Sequence, residues 1–509
     1  MTNPAGLITI DYIIIALYLA MTIGIGWYHG RRQKNAREYF IGSGHMNTGL
    51  IGISLFATLL STISYLSLPG EAIGKGPFIL ASSIAKPISF LVVGYILIPV
   101  YMRQRVTSAY ELLEERLGLQ NRLLGAGLFI SLRLVWMTLL MYLAARALTV
   151  MMGVDESWIP TIVLVAGLVA VTYTSIGGLA TVVTTDFIQF ILLFGGALLV
   201  IAHVTWRFGG FGWFPTEWAT HWDSQPIFSL DPSTRVTLFG TVLSGAAWGV
   251  ATAGGDQTAI QRFMATRDAK SARQAYGANL IVSISVVTVL VIVGFALMSI
   301  YQTNTHLLPT GWNLAQRADD IFPHYIAYQL PPVISGLVVA AMFAAAMSSV
   351  DSGVNSITAV VMTDLIGRLR ETPLNEDARL RLSKGLAFGI GAFVVVGSSF
   401  IGLVPGNITA MTQKTSNLVV TPLFSLFVLA LFVPFATPWG ATIGVICGVI
   451  SATLIAFSGP IFVPTFDPTR DYDPISFQWI APVGMIVSIG MGCLASWVTR
   501  RNPNHRTHP

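Results

Sequence analysis

The segment PPVISGLVVAAMFAAAMSSVDSGVNSITAVVMTDLIG, residues 331 to 367, crowds Ala345, Ser348, Ser349, Asp351, Ser352 and Ser356 into the middle of an apolar run. Positions 345, 348, 349 and 352 are three, four and seven apart, so on a helix they share one face. A ridge of small residues is a packing surface. Two adjacent hydroxyls, however, also offer ligands to a hard, weakly held cation that prefers oxygen. Backbone carbonyls have to complete such a shell, and they are free only where a helix is broken. A second stretch, FATLLSTIS (56 to 64), supplies a place for a break: Thr58, Ser61, Thr62 and Ser64 lie inside an apolar segment running from about Thr48 to Leu68. Of these, Thr58 and Thr62 are expected to satisfy freed backbone groups.

Charged groups inside apolar runs are the next candidates, because an ionisable residue at membrane depth is expensive and marks function by default. Asp351 and Asp186, the latter in TVVTTDFIQF, are the carboxylates; a helix-terminal or cytoplasm-facing role is the alternative for each. Lys86, Arg133 and Lys414 are the bases. Snorkelling of the long side chain to an interface is the usual explanation for such bases. Lys414, next to Gln413, is kept as a partner for an anionic solute.

The elements that must position these groups follow from composition. The 509 residues are 53% hydrophobic and only 10% charged, against about 25% charged for a soluble domain. Runs of about 18 or more apolar residues recur, enough to cross a hydrocarbon core of about 30 Å as helix. They do not alternate as barrel strands do. The chain therefore reads as an all-α integral membrane protein with about thirteen transmembrane helices, from 8–28 to 477–499. Both cysteines, Cys447 and Cys493, fall in apolar segments and define no disulfide framework. The first run ends in basic residues rather than a small-residue cleavage site, so it is kept as a helix.

With these spans, the basic clusters at 31–37, 103–122, 262–273, 368–384 and 500–506 fall on one side. They hold 20 of the 29 Lys and Arg, and the excess marks the cytoplasmic face. A multi-pass protein of the cell membrane follows, N-terminus outside and C-terminus cytoplasmic. The net charge of +5 is a topology signal, and no nucleic-acid partner is expected. On the opposite side Trp213, Trp218 and Trp222 read as anchors at the membrane interface.

Setting the first span aside (1–30), the next five (47–206) and the following five (236–433) run in opposite directions, with two further helices at 438–499. Such inverted repeats place ion and substrate sites near the midplane, where the leading helix of each repeat is broken. FATLLSTIS sits in one leading helix. The other reads TLFGTVLSGAAWGVATAGGDQ, with Ser244, Gly245, Gly249, Gly254 and Gly255 along it.

Several long motifs in order, REYFIGSG, SLFATLLSTIS, VTSAYELLEERLG, YTSIGGLATVVTTDFIQ, GGDQTAIQRFMATRDAKSAR and AAAMSSVDSGVNSITAVVMTDL, resemble the sodium:solute symporter family over essentially the whole chain. The resemblance implies a leucine-transporter-type fold with broken first and sixth core helices, and sodium as coupling ion without an organic cofactor. It further implies a sodium site built from Ala57, Leu60, Ala345, Ser348 and Ser349. A second sodium in some members maps onto Asp186 and Ser352, with Asp351 where those members carry serine. That departure leaves Asp351 as a tighter ligand for the second cation, a protonated acid or the partner of another group. By motif the solute contacts fall on Ser61, Ser64 and Ser83; the acidic or amide residue common at position 83 is absent, and Trp248 stands one turn before the expected aromatic gate.

VTSAYELLEERLG looks more like the branch carrying carboxylates, vitamins and sialic acids than the glucose branch. Together with Lys414 it points to import of a small organic anion, with a sugar or polyol as the alternative. A channel would need a continuous polar pore and a sensor an appended soluble domain; neither pattern is present. HExxH, GxSxG and P-loop motifs are absent, so no enzyme is expected. The partners expected are a small solute and lipid, without an obligate protein partner.

Overall fold

The computed structural model describes residues 7–33, 35–42, 44–60, 62–104, 106–222, 226–234, 236–370, 372, 374–403, 408–466 and 473–501, without the side chains of 63, 369, 403, 408–413, 416 and 501. Helices α1 (Thr9–Gly30) and α2 (Ala36–Ile41) are followed by α3 (Thr48–Leu59), α4 (Thr62–Lys75), α5 (Pro77–Gln104), α6 (Glu111–Met152) and α7 (Ile159–Phe208). Next come α8 (Leu238–Gly255), α9 (Gln257–Met264), α10 (Ala269–Thr303), α11 (Ala318–Tyr328) and α12 (Ile334–Ile366). Four more complete the bundle: α13 (Glu376–Phe400), α14 (Ile408–Phe432), α15 (Pro438–Ala456) and α16 (Ile480–Arg501). No strand occurs among the described residues.

Among the described residues, nine helices are long and apolar enough to cross a membrane, and α3 with α4 makes a bent tenth. One of the nine contains α7, whose 50 residues would measure about 75 Å at 1.5 Å per residue, more than twice a hydrocarbon core. It is two helices meeting at Gly178 (φ 57°, ψ −157°), a backbone conformation that glycine tolerates and β-carbons resist. A methyl at Gly178 would also fall 2.4 Å from the Tyr39 carbonyl oxygen.

The centre of the bundle is α12. Every residue from Val338 to Val360 is buried, as expected for a helix apolar on all faces, and α1, α6, α7 and α13 pack around it. Its N-terminus is held from another helix. Asp11 of α1 accepts the backbone N–H groups of Val333 at 2.8 Å and Gly336 at 3.0 Å, filling donors that a helix start leaves open. Val333 is the one non-glycine residue with positive φ among those described (φ 74°).

The bundle has two interruptions, one between α3 and α4 and one between α8 and α9. Between α3 and α4, Leu60 is extended (φ −80°, ψ 109°) and the axes diverge by 67°. Between α8 and α9, Asp256 is extended (φ −96°, ψ 123°) and caps α9 by accepting the Thr258 N–H at 2.8 Å. The break thus follows Gly254–Gly255. Gly245 and Gly249 are instead packing positions, where a β-carbon would approach Ala85 and Ser89 of α5 at 3.2 and 2.8 Å.

The aromatic loop after α7 departs from the sequence expectation. Trp218 is exposed, but Trp213 and Trp222 are buried, and the Trp222 indole donates to the Ile73 carbonyl on α4 at 3.0 Å. These two tryptophans fasten the loop to the bundle rather than to lipid.

Candidate functional site

The end of α3 meets the middle of α12. Ser348 Oγ lies 3.2 Å from the Ala57 carbonyl oxygen and 3.1 Å from that of Ala345. Ser349 Oγ, one residue on, is buried and has no hydrogen-bond partner among the described residues. Leu60, buried at the end of α3, has left helical geometry. Ser348 Oγ is thus within hydrogen-bonding range of two other expected sodium ligands, so three of the five meet at one point. A fourth is a buried hydroxyl without a partner, which is costly unless something else occupies it. A small cation that takes oxygen ligands fits this donor set.

Four hydroxyls raised the question of a broken helix, and they divide. Thr58 Oγ1 donates to the Ser54 carbonyl one turn back within α3 at 2.8 Å and lies 2.9 Å from Ser352 Oγ. Thr62 Oγ1 is buried without a partner among the described residues, which overturns the expectation that it satisfies freed backbone. Ser64 is half-buried. Ser61 lies outside the described residues.

The residues anticipated for a second sodium come together around a different cation. Arg262, expected in a cytoplasmic cluster, is wholly buried. Its guanidinium donates to Ser54 Oγ at 2.7 Å, to Ser352 Oγ at 2.7 Å, to the Thr258 carbonyl at 3.0 Å and to Asp186 at 3.2 Å. Asp186 also accepts Ser54 Oγ at 2.5 Å. The Arg262 guanidinium thus lies between Asp186 and Ser352, the two residues onto which the second sodium maps. Asp351 accepts the Tyr173 hydroxyl at 2.6 Å and Ser352 Oγ at 3.2 Å. Helical pattern could not reveal Arg262, because nothing in the motif GGDQTAIQRFMATRD says that α9 turns back into the bundle.

The second break is closed differently. Tyr101 and Tyr110 hydroxyls donate to the Gly254 and Gly255 carbonyls at 2.5 and 3.3 Å, and Arg133 forms a buried ion pair with Asp256. Arg133 is thus accounted for without snorkelling. Of the solute candidates, Ser83 on the first turns of α5 and Trp248 on α8 are half-buried. Lys414 meets an acid of this chain, Asp473, at 2.5 Å, which corrects its assignment to the solute. The Gln413 side chain lies outside the described residues.

A helical bundle with two broken helices and a ligand cluster at one break defines the class: an integral-membrane secondary transporter. The model of the sodium:solute symporter family matches residues 39–448, and the chain belongs to that family. It is a sodium-coupled solute transporter with sodium as its coupling ion, and not an enzyme. It is 30% identical over 499 residues to the sodium/sialic acid symporter SiaT of Proteus mirabilis, covering 91% of this chain and 96% of that one. The sodium-dependent multivitamin transporter of Oryctolagus cuniculus is 29% identical, with 87% and 69% covered. Among solved structures, a substrate-bound, outward-open sodium-coupled sialic acid symporter superposes with a TM-score of 0.79 at 26% identity, covering 96% of this chain and 97% of that one.

Proposed function

We propose that the chain imports a small organic anion together with sodium, by alternating access. The sodium is held by the carbonyls of Ala57, Leu60 and Ala345 and the hydroxyls of Ser348 and Ser349. The observation that carries the site is the juxtaposition of Ser348 Oγ with the Ala57 carbonyl, beside the partnerless Ser349 hydroxyl. In this reading the thirteen spans are an N-terminal helix, two inverted five-helix repeats whose leading helices carry the two breaks, and two C-terminal helices. The N-terminus is outside and the C-terminus cytoplasmic.

Ligands from α3 and α12 belong to parts that separate when the inner side opens. An ion held by both stabilises the closed inner side, in proportion to its preference for that state. A potential of about 100 mV adds roughly 2.3 kcal/mol for each positive charge moved inward. The solute sits against Ser61, Ser64, Ser83 and Trp248. Relatives named for sialic acid, vitamins and, in Xenopus laevis, monocarboxylates support an acid over a sugar.

The test is a thermal-unfolding screen of the purified protein against sialic acid, pantothenate, biotin, lactate, glucose and inositol, each in sodium and in potassium. Stabilisation by an acid in sodium alone supports the reading. Stabilisation by glucose or inositol alone contradicts the anion, and a response independent of sodium contradicts the coupling.

A further inference from the structure

Of the three bases that the sequence places inside apolar runs, two are matched by acids of this chain: Arg133 by Asp256 and Lys414 by Asp473. Lys86 forms neither an ion pair nor a hydrogen bond among the described residues. We propose that Lys86 is the anion-recognising residue of the solute site and that it pairs with the carboxylate of the transported acid. This rests on the reading of the protein as a symporter of a small organic anion, and it names the group that recognises the charge.

The direction of the side chain follows from the helix that carries it. Ile84, Ile88, Leu91 and Tyr95 of α5 are exposed, at 54, 45, 60 and 55%, and their spacing of four, three and four makes one outer stripe. Lys86 lies two residues from both Ile84 and Ile88, which puts it on the opposite side of the helix. One edge of that inner side, Ala85 and Ser89, faces Gly245 and Gly249 of α8. The other edge, Phe90, stacks on Tyr276 of α10 with ring centroids 6.5 Å apart. By its place on the helix Lys86 lies between these two contacts, and it is only half-buried. The surface it exposes therefore lies inside the bundle and not against lipid. Trp248 precedes the packing residue Gly249 on the facing helix, and Ser83 lies three residues before Lys86, so both solute candidates border the same seam.

Snorkelling does not account for the position. The eight residues of 3-10 helix from Pro77 to Ile84, at about 2 Å rise each, place Lys86 some 16 Å along the axis from the start of α5, farther than a lysine side chain reaches back to that end. An ammonium at this depth is expensive without a counter-charge. A ligand carboxylate supplies one, and this makes binding selective for acids over neutral analogues of the same shape.

The test has two arms. In full-length protein with Cys447 and Cys493 changed to alanine, Lys86→Cys is exposed to the anionic reagent 2-sulfonatoethyl methanethiosulfonate. Labelling is expected; a residue 86 that cannot be labelled overturns the proposal. In the second arm the wild type is titrated, in sodium, with pantothenate against the neutral panthenol, lactate against lactamide, and sialic acid against its methyl ester. At least one acid is expected to bind about tenfold or more tightly than its neutral partner, with Lys86→Met abolishing that preference and Lys86→Arg keeping most of it. Neutral partners that match or exceed their acids throughout, or an acid preference unchanged in Lys86→Met, overturn it. Stabilisation by sodium alone, recorded in parallel, reports on the coupling site separately, so failure at Lys86 and failure of the symporter reading give different results.

Discussion

Ser348 Oγ lies 3.2 Å from the carbonyl oxygen of Ala57, a residue 291 positions away. The contact joins the end of a broken helix to the middle of the most deeply buried one, and the chain has no local reason to make it. Both groups are polar, buried and available to a third atom, which is what an ion site requires and a packing contact does not.

The Arg262 guanidinium spans α3, α7, α9 and α12 through Ser54, Asp186, Thr258 and Ser352. Arg262→Gln leaves Asp186 buried and unpaired, which is expected to cost about 3–5 kcal/mol. The double variant with Asp186→Asn is expected to recover part of this, and a double-mutant cycle of thermal or denaturant unfolding reads the coupling. Additive single effects would show that the pair does not hold these helices together. Arg262→Lys cannot reproduce four directed contacts from a planar fork and is expected to be nearly as damaging.

Asp11 reaches from α1 to the start of α12. Asp11→Ala removes the acceptor for the Val333 and Gly336 amides and is expected to cost about 1–2 kcal/mol, seen as a lower unfolding temperature. Val333→Gly relieves the positive φ at the same corner and is expected to stabilise or leave stability unchanged, since glycine adopts that backbone without steric cost. An Asp11→Ala protein as stable as wild type would show the corner to be held by packing alone.

Gly178 separates the two halves of α7 at φ 57°. Gly178→Ala meets both the disfavoured backbone and the Tyr39 carbonyl oxygen 2.4 Å away, so a sharp fall in folded yield on size-exclusion chromatography is expected. Gly24→Ala on α1, where no atom lies within 4 Å of the added carbon, is the control expected to express normally.

At the end of the bundle that the proposed topology places inside, Arg122 joins Asp364 at 2.6 Å and Glu114 at 2.6 Å, while Arg368 also pairs with Glu114 and Ser108 donates to Asp364. This links the loop before α6 and α6 itself to the end of α12. Arg122→Ala is expected to loosen closure of that side. Accessibility of a cysteine placed at Thr363 to a thiol reagent added from the cytoplasmic side should rise several-fold; unchanged labelling would show that the cluster does not hold the inner side shut.

Much of this was legible in the residues. Spacing alone put Ala345, Ser348, Ser349 and Ser352 on one face, and hydroxyls in an apolar run marked the break at Leu60. Other features were hidden because they depend on which helices become neighbours. Arg262 reads as one of several basic residues after a helix, yet α9 carries it into the core. Lys414 reads as free until the chain returns 59 residues later with Asp473. Glycines at 245, 249, 254 and 255 look alike in sequence, but two receive α5 and two precede a break. Trp213 and Trp222 have the composition of interface anchors and are buried by a fold-back that composition does not encode.

The central claim is that sodium is held between the break after α3 and the two serines of α12. It is tested most directly by equilibrium binding of radiosodium to purified wild type and Ser349→Ala, without solute. Loss of one oxygen ligand, at about 1–1.5 kcal/mol, is expected to weaken sodium about tenfold, while the unfolding temperature measured in potassium stays near that of wild type. A Ser349→Ala isotherm that overlays the wild-type curve would contradict the account.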